Sequence, residues 1–154
     1  MLRKILGFVA AFVVVNVVVI VGFLGGAIVL GSERVLEPGG YDASLLWLFV
    51  SSLIGLVGAS CGGVACQAIS RDRRVAGVLA AVMFLFGAAA FFAGAGAPEP
   101  PPRPEGETGF AAIKAAAEHG REPLSTRVLN PLLAVAGVLA GASIVARQQV
   151  ARRD

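Results

Sequence analysis

The chain has 154 residues, of which 56% are hydrophobic and only 15% charged, and its mean hydropathy is +0.80. Soluble domains carry about a quarter charged residues, so an ordinary water-soluble fold is excluded and one membrane domain is expected. The formal net charge of +3 is small, and no basic face with interleaved aromatics lies outside the apolar runs, which argues against a nucleic-acid partner.

Four apolar runs follow one another, and the pattern predicts an all-α fold: an integral membrane four-helix bundle with a short extra helix in its second outer loop. Arg3 and Lys4 precede the first run, Ile5 to Gly31, in which only Asn16 is strongly polar. A cleaved signal peptide begins in the same way, but its apolar core is only about 7–15 residues before a small-x-small site. This run is far longer and has no clear site, so an uncleaved helix is expected over 5–31. Gly22 and Gly26 form a GxxxG pair near its end. In the loop that follows, Glu37, Pro38, Gly39 and Gly40 read as a tight turn. Tyr41 and Trp47 belong in the headgroup zone at the start of the second helix, with Asp42 or Ser44 available to cap it.

The second run, residues 44–70, holds no charged side chain between Asp42 and Arg71. At about 1.5 Å per residue it exceeds the roughly 30 Å of hydrocarbon in a bilayer. Steps of four residues pick out Ser51, Gly55, Ala59, Gly63 and Gln67, and Gly58 with Gly62 lies beside that stripe. Small side chains let a second helix backbone come close, and van der Waals contact then supplies the attraction. This helix is therefore expected to be the packing centre. Cys61 and Cys66 point about 140° apart on one helix, cannot bridge each other, and read as small buried packers.

Arg71, Asp72, Arg73 and Arg74 form a connection so short that the second and third helices are expected to be antiparallel neighbours. The third run, about 75–97, ends at Pro98–Pro104, expected to be an extended spacer. In the outer loop, 98–127, Thr108 can cap a helix over about 108–119 with Phe110, Ile113 and Ala117 on one face. It is too polar to span and should lie on the bilayer interface or over the mouth of the bundle. The last helix, about 128–147, is expected to open with Asn130 as cap and Pro131 in its first turn, and it holds Gly137 and Gly141. A shift of 79 residues lays Leu53, Gly58, Gly62, Arg73 and Arg74 over Leu132, Gly137, Gly141, Arg152 and Arg153, the trace that a duplicated hairpin would leave.

Arg3 and Lys4, the Arg71–Arg74 turn and the Arg147–Arg153 tail fall on one side, while the other two connections are acidic or balanced. The positive-inside rule then puts both termini in the cytoplasm and the two longer loops outside a cell inner membrane. Cys66, Gln67 and the rest of GLVGASCGGVACQAIS ending at RDRR, followed at once by another apolar helix, resemble in layout many small four-helix bacterial inner-membrane proteins. That resemblance carries no functional residue across.

Every acid and base lies outside the four runs, which argues against proton-coupled transport, whose relays need an intramembrane ionisable group. No catalytic, metal or cofactor site is expected, and the chain is not expected to be an enzyme. His119 sits beside Glu118 and Glu122 and reads as a solvated helix-end residue, while Ser51, Ser52, Ser60 and Ser143 have no base near them and read as hydroxyls bonded within or between helices. Asn16 and Gln67 have most to gain from an interhelical bond, worth about 0.6–2 kcal/mol. The leading expectation is a structural or interaction protein, or an accessory subunit, surrounded by membrane lipids and packing on itself or a larger complex. Its helix-packing residues are Gly22, Gly26, Ser51, Gly55, Gly58, Ala59, Gly62, Gly63, Gly137 and Gly141. The rival is a passive channel or small-solute transporter with Asn16, Ser51, Ser60 and Gln67 along a polar path. A sensor or ligand-binding module built on Pro98–Arg127 is the third reading.

Overall fold

A computed structural model describes residues 1–94, 101–121 and 123–151. Among these are six helices: α1 (Leu2–Leu30), α2 (Ser32–Val35), α3 (Leu45–Ser70), α4 (Arg73–Gly94), α5 (Gly109–His119) and α6 (Leu124–Ala151). Four of them, α1, α3, α4 and α6, are long and apolar enough to cross a membrane, so the chain is an all-α, multi-pass membrane protein. Valine is a poor helix former in water. In lipid the backbone must satisfy its own hydrogen bonds, and α1 is a continuous helix despite its valines.

The bundle is arranged around α3, which packs extensively on α1 along one side and on α6 along the other. The fourth long helix, α4, leans chiefly on α6 and meets α3 and α1 only thinly. The short turn between α3 and α4 therefore does not make them close neighbours, because α4 diverges from α3 toward α6. The core between the helices is built of small side chains, with Ala11, Ala59, Cys66, Ala76, Ala80, Val138 and Ala142 around Leu79. Outward-facing Val9, Val13, Ile20, Leu24 and Phe86 are exposed, the distribution expected when the solvent is hydrocarbon.

Several boundaries differ from the sequence expectation. Helix α6 begins at Leu124, so Pro131 lies inside it rather than in its first turn. Interior proline removes one backbone bond, a cost that membrane helices tolerate where neighbouring groups re-satisfy the freed carbonyl. The last residues of the third run, 95–97, lie outside the described residues, as do Pro98–Pro100, Arg152 and Arg153.

The second outer loop folds back onto the first instead of standing off as a spacer. The Arg103 N–H donates to the Gly39 carbonyl at 3.1 Å. The Gly109 N–H donates to Ser32 Oγ at 2.8 Å, while Thr108 makes no side-chain cap. The Arg121 N–H donates to Asp42 Oδ1 at 3.1 Å. The Tyr41 hydroxyl donates to Glu107 Oε2 at 2.6 Å, which raises its pKa above the ordinary 10.0. These bonds seat α5 against α2, with Ala112 fully buried in a cluster with Ala27, Val35 and Leu36. Ala112, Ile113 and Ala116 form the inner face of α5, and Phe110 is exposed, a rotation of the face expected from sequence. The first loop has the expected tight turn, with Gly39 at φ 74° and the Gly40 N–H donating to the Glu37 carbonyl. Ser44 caps α3 by accepting from the Trp47 N–H at 3.1 Å.

At the opposite end the amino terminus, the α3–α4 turn and the last turns of α6 come together. Lys4 Nζ lies 2.7 Å from Asp72 Oδ2, and the Arg74 N–H donates to Asp72 Oδ1 at 2.9 Å. Lys4 first, and then that backbone donor, hold the Asp72 carboxyl below its ordinary 3.8. A lowered folded-state pKa adds stability that is fully present above the unfolded value and disappears as pH falls through the folded one. Asp72→Asn is accordingly expected to lower the thermal midpoint in detergent at neutral pH, and the gap from wild type should close below about pH 4.

Candidate functional site

The residues that distinguish this bundle are those at which helix backbones meet, and α3 carries two such faces. Gly58 and Gly62 face α1. A Cβ built on Gly58 would stand 2.8 Å from Val19 Cγ2, and one on Gly62 would press into the Val15 side chain with the Ala11 carbonyl oxygen 3.2 Å away. Ala59 and Gly63, turned about 100° from that pair, face α6. Gly63 lies against the backbone of Val138 and Ala142, and Ala59 is 1% exposed.

On α6, Gly137 and Gly141 complete the second face. A Cβ on Gly137 would sit 2.9 Å from the Leu56 carbonyl oxygen, and one on Gly141 would collide with the Ser60 carbonyl. Backbone stands against backbone here, so no side-chain rotation can make room. At the other end of α1, Gly22 abuts Ile54, and Gly26 stands beside Trp47 and Ile54. Trp47 also meets Phe23 edge-on at 5.7 Å between ring centroids.

Two of the expected packing residues are placed differently. A Cβ on Gly55 would meet nothing within 4 Å, so Gly55 is no point of close approach. Ser51 is half-buried and its hydroxyl donates to the Leu48 carbonyl of its own helix at 3.1 Å. Sequence reasoning missed two others. Gly7 on α1 stands against Ser70, whose Cβ would be 2.9 Å from a Cβ at Gly7, and Gly87 on α4 receives the ring of Pro131. Neither belongs to a GxxxG pair.

The polar residues of the spans do not converge. Asn16 is exposed on the outer side of α1 and its Nδ2 donates to the Phe12 carbonyl at 2.8 Å. It makes no interhelical bond among the described residues. Ser60 donates to the Leu56 carbonyl at 2.8 Å. One polar bridge between α3 and α6 is made by Ser52, whose Oγ donates to Asn130 Oδ1 at 3.2 Å. Asn130 is thus a cross-helix acceptor rather than a cap. Gln67 is 3% exposed, its Nε2 reaches Gln149 Oε1 at 3.5 Å, and its Oε1 has no partner among the described residues.

The glycines aligned by the 79-residue shift do different work. Gly58 and Gly62 receive α1, the first helix of their own hairpin, whereas Gly137 and Gly141 receive α3 and not α4. His119 is exposed, with its ring 5.9 Å from that of Tyr41. Cys61 and Cys66 are free thiols, half-buried and buried. Among the described residues no three His, Cys, Asp or Glu side chains gather where they could hold a metal ion. Comparison with protein-family models, with curated proteins and with solved structures finds no significant match to this chain.

Proposed function

We propose that this multi-pass membrane protein is a structural or interaction protein, an accessory subunit of a larger membrane assembly and not an enzyme. The observation that supports this reading most is how the small-residue faces are used. Gly63, Gly137 and Gly141 bring the backbones of α3 and α6 into contact, and Gly58 and Gly62 receive the valine side chains of α1, all within one chain. Three of the four residues of the rival polar path do not line one, since Asn16 faces outward and Ser51 and Ser60 bond to their own helices, and the fourth, Gln67, pairs with Gln149 at one end of the bundle. The charge distribution favours an inner membrane with both termini in the cytoplasm, since six cationic side chains, Arg3, Lys4, Arg71, Arg73, Arg74 and Arg147, stand at that end against Asp72 among the described residues.

The test is purification of the full chain from native membranes in mild detergent, paired with flux measurements on the protein alone in vesicles. A stoichiometric membrane partner and no solute-dependent leak are expected. Leak above that of empty vesicles, with no partner recovered, would replace this reading with the channel.

A further inference from the structure

At the end of the bundle that carries both termini, a cleft of about 650 Å³ opens between the last turns of α3 and α6 and the start of α4. Arg71, Arg73 and Arg147 line it, together with Gln67, Gln149 and the apolar Val150. None of the three guanidiniums is paired with a carboxylate of the described residues. Asp72, the acid of the adjoining α3–α4 turn, is held instead by Lys4 and the Arg74 N–H, and Lys4, Asp72 and Arg74 line a separate groove between α1 and α4. The positive charge of the cleft is therefore not neutralised by the neighbouring turn.

Gln67 supplies an independent observation. It is buried to 3% exposure, lines the cleft, and carries an amide oxygen without a partner among the described residues. Leaving a buried amide atom unpaired costs about 1–3 kcal/mol, so such a group marks a position that a ligand can satisfy. Turning the Gln67 and Gln149 amides over together preserves their mutual contact with donor and acceptor exchanged. It also offers the Gln67 NH₂ to an anion as a hydrogen-bond donor.

Three guanidiniums are suited to the oxygens of a phosphate group, which they can bind bidentately. We propose that this cleft binds a phosphate group, with Arg71, Arg73 and Arg147 as the charged ligands and Gln67 as the buried donor. The group is that of an anionic phospholipid, because the cleft lies at the ends of membrane-spanning helices and Ala146, Val150 and Ala151 give it an apolar wall that an acyl chain can follow. Free phosphate shares the recognising chemistry and is the other source that the experiment separates.

The test uses the full chain in neutral detergent at fixed ionic strength, with the thermal midpoint followed against short-chain phosphatidylglycerol, short-chain phosphatidylcholine or inorganic phosphate. A saturable rise is expected with phosphatidylglycerol and none with phosphatidylcholine. The double substitution Arg73→Gln with Arg147→Gln removes two exposed side chains and should weaken the response about 25-fold, about fivefold for each guanidinium. Arg74→Gln, in the other groove, should leave it unchanged. Saturation by inorganic phosphate with no response to the lipid would keep the site and assign it to the free anion. No saturable response to either, or equal losses in Arg74→Gln and the double variant, would overturn the proposal.

Discussion

Alanine at Gly63 or at Gly141 is expected to break the bundle, although each change adds a single carbon. The new Cβ at Gly63 would collide with the Val138 carbonyl, and that at Gly141 with the Ser60 carbonyl. Overpacking of a core usually costs about 1–3 kcal/mol because side chains can shift. In this interface the obstacle is the main chain of the facing helix, so α3 and α6 must separate along their length, and the cost should exceed about 3 kcal/mol. The readout is a lowered thermal midpoint and loss of the monodisperse peak in detergent. Gly55→Ala is the matched control on the same helix. Its Cβ would enter open space, and the variant should be as stable as wild type. Gly58→Ala and Gly62→Ala should fall between the two, since the first obstacles to their Cβ are the side chains of Val19 and Val15, whereas leucine at either position should disturb folding outright.

Gly87→Leu is expected to have the next largest effect, by a different route. Helix α4 rests mainly on α6, and the Pro131 ring fills the place where a side chain at Gly87 would go. Proline cannot rotate away, because its ring is closed onto its own backbone. A leucine at Gly87 should therefore push α4 off α6 at a cost of about 1–3 kcal/mol. The α1–α3–α6 contacts do not involve this position, so the variant should unfold at lower temperature while Trp47 keeps its contact with Phe23, visible as unchanged tryptophan fluorescence before the transition.

The spans were legible in the sequence because hydrocarbon imposes a simple condition: enough consecutive apolar residues, with charges at the ends. The central place of α3 was legible too, since its small residues outnumber what one helix–helix contact needs. The exact face was less so. A step of four residues overshoots a full turn by about 40°, so Gly55 has drifted about 80° from Gly63 and no longer points at α6. Gly7 and Gly87 gave no local signal, because what makes each necessary, the backbone and Cβ of Ser70 for Gly7 and the Pro131 ring for Gly87, is supplied by a distant part of the chain. Asn130 followed by Pro131 satisfies the rule for a helix start equally well in water. In the bundle the helix extends upstream through them, and Asn130 turns to Ser52. The outer loop was hardest to read, since Asp42, Tyr41 and Ser32 became anchors for residues far along the chain.

The most direct measurement is the sidedness of dual reporters fused at the amino terminus, within the first loop at residue 37, within α5 at residue 115, and after α6. Four spanning helices require the two ends to report from one side and residues 37 and 115 from the other. A reporter at 37 or 115 on the same side as the amino terminus would contradict the four-span bundle and everything built on its packing faces.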